Sequence, residues 1–177
     1  FILMINQIIR FFDICISILI IIIFSPIIII ISILIYINDG SPVIFKQYRI
    51  GYKGKKFKIL KFRTMSEVFY KNEKLRLTFF GKILRRTSLD EIPQVWSILK
   101  GDMSFVGPRP ALYNQYDLIK LRTNHGVHKL LPGLTGLAQI SGRDDLPISK
   151  KVEKDILYLK KQSIFFDFKI ILLTFRN

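Results

Sequence analysis

The chain has 177 residues, half of them hydrophobic, and a formal net charge of +15 from 28 Lys or Arg against 13 Asp or Glu. That length holds one ordinary globular domain plus one membrane element. High charge joined to high apolar content excludes the disordered class, and a single cysteine, Cys15, excludes a disulfide framework and a cysteine metal knuckle.

The first element is an apolar segment. From Ile14 to Asn38 no charged residue occurs, and a straight helix over this stretch would be about 37 Å long, enough to cross a hydrocarbon core of roughly 30 Å. It exceeds the usual signal-peptide core of about 7 to 15 residues, and no small-x-small cleavage site follows in NDGSP, so the segment is expected to stay attached. Ser25-Pro26 lies at its middle. The pair reads equally as a tolerated kink in a spanning helix or as a break that returns the chain to the side it entered from. Proline removes a backbone donor, and the Ser25 hydroxyl can bond back to a carbonyl and widen a bend.

Eight Lys or Arg and no acidic residue fall between Lys46 and Arg63. Such a cluster just past a membrane segment reads as cytoplasmic and attracted to anionic lipid. Residues 1–38 are therefore expected to be the membrane part, and residues 39–177 a cytosolic domain carrying interfacial helices. The stretches VIFKQYRI and FKILKFRTM, with Gly51 and Gly54 between them, predict a β-hairpin. Helical patterns follow over Leu75 to Leu84, Glu91 to Leu99, Leu118 to Leu131, Ser149 to Lys161 and Ile164 to Phe175. The last fits a core helix and an interfacial membrane helix equally. The fold class is α/β and mostly helical, with a small hairpin and Trp96 in the core.

RRTSLDEIPQ, Arg85 to Gln94, is the richest stretch for chemistry. Its plain reading is a helix start, with Ser88-x-x-Glu91 as a capping box. The same geometry serves catalysis, because a helix N-terminus attracts anions and a carboxylate held there stays ionised as a nucleophile. Asp90 and Glu91 can also share a hard divalent cation with substrate phosphates. His125 and His128 stand three apart, but no cysteine or nearby carboxylate completes a metal set.

KFRTM (Lys61 to Met65), RRTSLDEIPQVWSILKGDMSFVGPRP (Arg85 to Pro110) and PGLTGLAQISGR (Pro132 to Arg143) resemble the signatures of the bacterial sugar transferases, the monotopic phosphoglycosyl transferases. The blocks come in the same order and cover nearly the whole chain. The resemblance implies transfer of a sugar-1-phosphate from a UDP-sugar to a polyprenol phosphate such as undecaprenyl phosphate, with release of UMP, as the first membrane step of a bacterial glycan pathway. It implies Asp90 as nucleophile, Glu91 as its partner, and Mg²⁺ (or Mn²⁺) held by the pair. It also implies a re-entrant helix broken at Ser25-Pro26, on the cytoplasmic face of the bacterial inner membrane. Lys61, Arg63, Arg85 and Arg143 become candidates for holding phosphates, since cations offset the spreading charge. Pro108, Arg109 and Pro110 match the nucleotide-side Pro-Arg-Pro motif, and Gly133 and Gly136 are expected to permit a tight turn. The match thins after Arg143, where sugar contacts are expected.

Two other classes fit the composition: a membrane-anchored nucleic-acid binder and a scaffold. SLDEIPQ weighs against the first, because it sets two carboxylates where a nucleic-acid groove stays positive. Expected partners are a UDP-sugar, a polyprenol phosphate and anionic lipids, with no nucleic acid; a homodimer is compatible with the sequence.

Overall fold

The computed structural model describes residues 2–65, 77–142 and 145–176. It opens with one long helix, α1 (Ile2–Asp39), which is long and apolar enough to cross a membrane; its most apolar window is only 11% buried against the rest of the chain. The helix runs through Ser25-Pro26 without interruption, and the Ser25 hydroxyl donates to the Ile22 carbonyl at 2.9 Å. A change of direction there is therefore a bend within one helix, not a loop between two.

The expected hairpin is present as β1 (Ile44–Ile50) and β2 (Lys56–Phe62), paired antiparallel from Ile44↔Phe62 to Ile50↔Lys56. A tight turn at Tyr52–Gly54 joins them, with Gly54 at φ +77 and Lys53 at φ +52. The far edge of β1 takes a short strand, β4 (Ala111–Leu112), which completes a three-stranded sheet in the order β2-β1-β4. A second sheet pairs β3 (Ser104–Val106) with β5 (Gly133–Thr135) in parallel.

Helix α2 (Phe79–Arg86) is started by Thr78, whose side chain accepts from the Gly81 amide at 2.9 Å. The beginning of the expected 75–84 helix lies outside the described residues. Leu89–Gln94 is a 3-10 helix, and α3 (Val95–Lys100) continues from it to Gly101, whose φ of +92 ends the helix. The helix expected over 118–131 is shorter: α4 (Tyr116–Asn124) stops before Gly126, at φ +76. After α5 (Leu137–Ile140), the C-terminal pair α6 (Ile148–Lys161) and α7 (Ile164–Arg176) matches the sequence pattern closely.

Among the described residues, four small apolar clusters hold these parts together. Ile31 and Ile35 of α1 pack on Phe62 and Leu84; burial of each such side chain stabilises by about 1.5–3 kcal/mol. Phe57, Ile59, Ile98 and Met103 form a second cluster. Val106, Leu130, Tyr158 and Ile170 bind the C-terminal helices to β3, and Ala111, Leu118 and Val152 join α4 to α6. Helix α7 is two-faced. Asp167 and Ile170 are buried, while Phe165, Phe168, Leu172 and Phe175 are exposed on the other side. Trp96, expected in the core, is half exposed on α3.

Both halves of α1 touch this body. Near the N-terminus, Arg10 donates to the Ile98 and Leu99 carbonyls at 2.5 and 2.6 Å, at the end of α3, where the Ile98 carbonyl also accepts from the Gly101 amide. One turn later, the buried Asp13 accepts from the Ser104 hydroxyl and the Phe105 amide. At the other end, Arg63 donates to the carbonyls of Asp39 and Gly40.

Candidate active site

Alternation along β2 sets Phe57, Ile59 and Lys61 on one face. The first two enter the core, and Lys61 sits at the end of the row, over the 3-10 helix. There its Nζ lies 2.5 Å from Glu91 Oε1. Asp90, the residue before, is 7% exposed, makes no ion pair among the described residues, and its carboxylate accepts a hydrogen bond from its own backbone amide. The two carboxylates thus differ: Glu91 is neutralised by Lys61, and Asp90 is left outside any such pair. Burial pushes the Asp90 pKa above the ordinary range; Lys61 pulls it down, Glu91 pushes it up and Arg85 pulls it down. Once deprotonated, such a carboxylate is more basic and a stronger nucleophile.

The capping box is corrected. Ser88 adopts a left-handed conformation, φ +56 and ψ +14, and makes no side-chain cap. Glu91 reaches Lys61 instead of back to the Ser88 amide. Pro93 fits inside the short helix because the first turns of a helix leave amides unpaired in any case.

Arg85, at the end of α2, donates from Nε to Thr64 Oγ1 at 3.0 Å and keeps its charge near Asp90. Arg63 is elsewhere. Strand β2 ends at Phe62, so the alternation that would set Arg63 beside Lys61 does not continue; its buried guanidinium holds the end of α1. In this structure Arg63 therefore serves the end of α1 and is not among the residues lining the Lys61–Glu91 cleft. Arg143 lies outside the described residues.

Gly107-Pro108-Arg109-Pro110 follows β3 and borders the same cleft. Arg49, Lys61, Glu91, Gln94, Arg109, Pro110 and Gly133 face one another across it. The Pro-Arg-Pro loop is fixed by its backbone. The Gly107 amide donates to the Thr135 carbonyl at 2.9 Å and the Gly133 amide to the Pro108 carbonyl at 3.0 Å. Arg49 donates from Nη1 to the Pro110 carbonyl at 3.1 Å, and Arg122 from Nη1 to the Arg109 carbonyl at 2.7 Å. Arg122 is itself held by the buried Asp155, with Nε and Nη2 2.9 and 2.7 Å from Oδ2.

Gly133 serves close approach here, not the turn that was expected. A Cβ on it would stand 2.1 Å from the Gly107 nitrogen, so only glycine lets the two loops meet. Arg49, Gln94, Gly107, Arg122 and Asp155 were not singled out in the sequence. For Arg49 a signal existed, since hairpin pairing sets it opposite Phe57, on the face that carries Lys61.

Among the described residues no group of three or more His, Cys, Asp or Glu converges as a metal set. Asp90 and Glu91 offer two adjacent hard oxygen donors. That suits Mg²⁺, which commonly takes one or two carboxylates and completes its shell with waters and substrate phosphates.

The sequence signature of the bacterial sugar transferases matches residues 4–177, including every element of this cleft. The chain belongs to the bacterial sugar transferase family. It is 41% identical over 175 residues to the uncharacterized sugar transferase EpsL of Bacillus subtilis, covering 95% of this chain and 85% of that protein. It is 42% identical over 180 residues to the UDP-glucose:undecaprenyl-phosphate glucose-1-phosphate transferase of Klebsiella pneumoniae, covering 93% of this chain but 38% of that longer relative. Identity to the exopolysaccharide production protein ExoY of Rhizobium meliloti is 36% over 187 residues, covering 93% of this chain and 82% of the relative.

Proposed function

We propose that this sugar transferase moves a sugar-1-phosphate from a UDP-sugar to undecaprenyl phosphate or a related polyprenol phosphate, at the cytoplasmic face of the bacterial inner membrane. The observation that carries the reading is the division of labour in the carboxylate pair: Glu91 bound to Lys61, and Asp90 outside that ion pair with Arg85 nearby. Relatives named for this transfer support the substrates.

In the proposed sequence, an Asp90 carboxylate oxygen attacks the sugar-bearing β-phosphorus of the donor. The bond from that phosphorus to the bridging oxygen breaks, and UMP leaves with the oxygen. The lipid phosphate then attacks the same phosphorus, the acyl phosphate bond breaks, and Asp90 is regenerated as polyprenyl diphosphate sugar departs. Lys61 keeps Glu91 oriented, and Arg85 offsets charge on the phosphoryl oxygens. Asp90 and Glu91 would hold Mg²⁺, which when bound supplies Lewis-acid stabilisation of the diphosphate. Covalent transfer in two halves lets one small cleft take its two phosphorylated substrates in turn.

A re-entrant α1 is part of this proposal. A straight helix of 38 residues would be about 57 Å long, so as a span it would carry Arg10 and Asp13 far from Asp39. Contacts of Arg10, Asp13, Ile31, Ile35 and Asp39 with one folded body support an arrangement in which both ends lie on one side. The exposed apolar face of α7 and the cations at the end of α6, Lys160 and Lys161, suit the membrane interface.

UMP release over a panel of UDP-sugars with undecaprenyl phosphate tests the proposal and reads out the sugar. Multiple-turnover release with at least one donor, beyond the single equivalent of UMP formed without lipid phosphate and suppressed by EDTA, is expected. Silence across the panel with folded protein in lipid would overturn it.

A further inference from the structure

Gln94 borders the Lys61–Glu91 cleft but has no part in the transfer chemistry. It closes the 3-10 helix that begins at Leu89. Three residues make one turn of such a helix, so side chains at i and i+3 eclipse. Glu91 and Gln94 therefore share the face that lines the cleft, with Gln94 about 6 Å further along the axis. Val95 and Ile98 of α3, both buried, fix the helix end from which Gln94 projects.

Other polar groups of this wall are already engaged. Lys61 and Glu91 hold each other at 2.5 Å, and Arg49 donates to Gln47 Oε1 and to the Pro110 carbonyl. Gln94 is 3% exposed, and its amide makes no hydrogen bond to another described residue. A carboxamide brings two N–H donors and a carbonyl acceptor, and groups this deeply buried ordinarily have partners. Ile59, Pro110 and Leu134 complete the wall beside it with apolar surface and supply no side-chain partner.

We propose that Gln94 is a specificity-determining residue, whose amide hydrogen-bonds one ring hydroxyl of the donor sugar. The proposal rests on the reading of the chain as a UDP-sugar transferase and adds a contact that selects the sugar. Phosphate oxygens only accept, and a charged donor such as Arg85 serves them better than a neutral amide. A hydroxyl both donates and accepts, which is the complement of a carboxamide. Position agrees with chemistry: when Asp90 meets the sugar-bearing phosphorus, the ring attached to that phosphorus lies about one helical turn along the cleft. Ile59 and Leu134 suit the C–H face of such a ring. A donor lacking the hydroxyl leaves the buried amide unpaired, so the site rejects it.

The test uses the full chain in detergent with undecaprenyl phosphate. Its probes are the most active donor among UDP-glucose, UDP-galactose, UDP-N-acetylglucosamine and UDP-N-acetylgalactosamine, and the analogues of that donor lacking one ring hydroxyl each. Gln94→Met keeps the side-chain length and removes the hydrogen bonds; Gln94→Asn keeps the amide and withdraws it by one methylene. Thermal unfolding verifies that each is folded. In the parent, one analogue is expected to lose at least tenfold in kcat/KM. In a folded variant the full donor is expected to lose at least tenfold, the analogue to fall within threefold of it, and UMP binding by calorimetry to stay within twofold of the parent. A variant that retains parental kcat/KM overturns the proposal. So does one that keeps the parent's full discrimination against every analogue, since that is the pattern of a structural side chain, or one in which UMP binding weakens tenfold. Silence of the parent with all four donors removes the transferase reading, and this proposal with it.

Discussion

Replacing Asp155 by asparagine leaves the Arg122 guanidinium buried beside a neutral amide. In the parent, Arg122 spends Nε and Nη2 on Asp155 and Nη1 on the Arg109 carbonyl. Removing one partner of a buried ion pair costs about 3–5 kcal/mol, because the remaining charge stays desolvated. At roughly 2–4 °C per kcal/mol for a chain of this size, the unfolding midpoint falls by roughly 6–20 °C. Burial pushes the Asp155 pKa up despite the pull of Arg122, so desolvation outweighs attraction within the pair. Replacing both residues with apolar ones, Arg122→Met with Asp155→Leu, is therefore expected to recover most of the lost stability. Because Arg122→Met also removes the donor to the Arg109 carbonyl, a raised KM for UDP-sugar is expected in the double variant. Thermal unfolding by circular dichroism in one detergent, alongside steady-state kinetics, separates the two effects. A midpoint drop under about 2 °C for Asp155→Asn, or a double variant no more stable than the single one, would refute the reasoning.

Gly133→Ala introduces a Cβ 2.1 Å from the Gly107 nitrogen and 2.3 Å from the Thr135 oxygen, both backbone atoms with little room to yield. A loss of about 1–3 kcal/mol and a fall in turnover are expected; parental stability and activity would count against the backbone clamp. Burial pushes the Asp167 pKa up to about 7, with the Tyr158 hydroxyl donating to it and Asp13 nearby. The folded state then holds this proton more tightly than the unfolded state, so stability is full below about pH 4 and declines as pH rises to about 7, by at most about 4 kcal/mol. Relative to Asp167→Asn, the parent is expected to lose stability over that window; a difference constant with pH removes the claim. Changing Ser25-Pro26 to Ala-Leu straightens α1, and a tag at residue 1 is expected to become accessible from outside intact cells, as it is not in the parent. A tag inaccessible in both contradicts the re-entrant reading.

The hairpin and the C-terminal helices were legible because their signals are local: alternation around Gly51 and Gly54 for the one, and apolar spacing at three and four for the other. The β3–β5 pairing was not. Its strands have three residues each, are parallel, and depend on glycines that let Gly107 and Gly133 touch, a contact between positions 26 apart. Within the site, the Lys61, Arg85 and Asp90–Glu91 neighbourhood follows from blocks visible in the chain. Arg63 departed from expectation because the strand ended one residue before it, and no periodicity announces a strand end. Arg122 and Asp155 looked like ordinary charges on two helices. Only the packing of α4 on α6 makes them a buried pair.

The most direct test of the central claim is mass analysis of the protein after incubation with a UDP-sugar and Mg²⁺ but no lipid phosphate. One phosphosugar is expected on the peptide containing Asp90, matched by stoichiometric UMP, discharged on adding polyprenol phosphate and absent from Asp90→Asn. Undiminished turnover in Asp90→Asn, or UMP formed only when the lipid is present and never with an adduct on Asp90, would contradict the account.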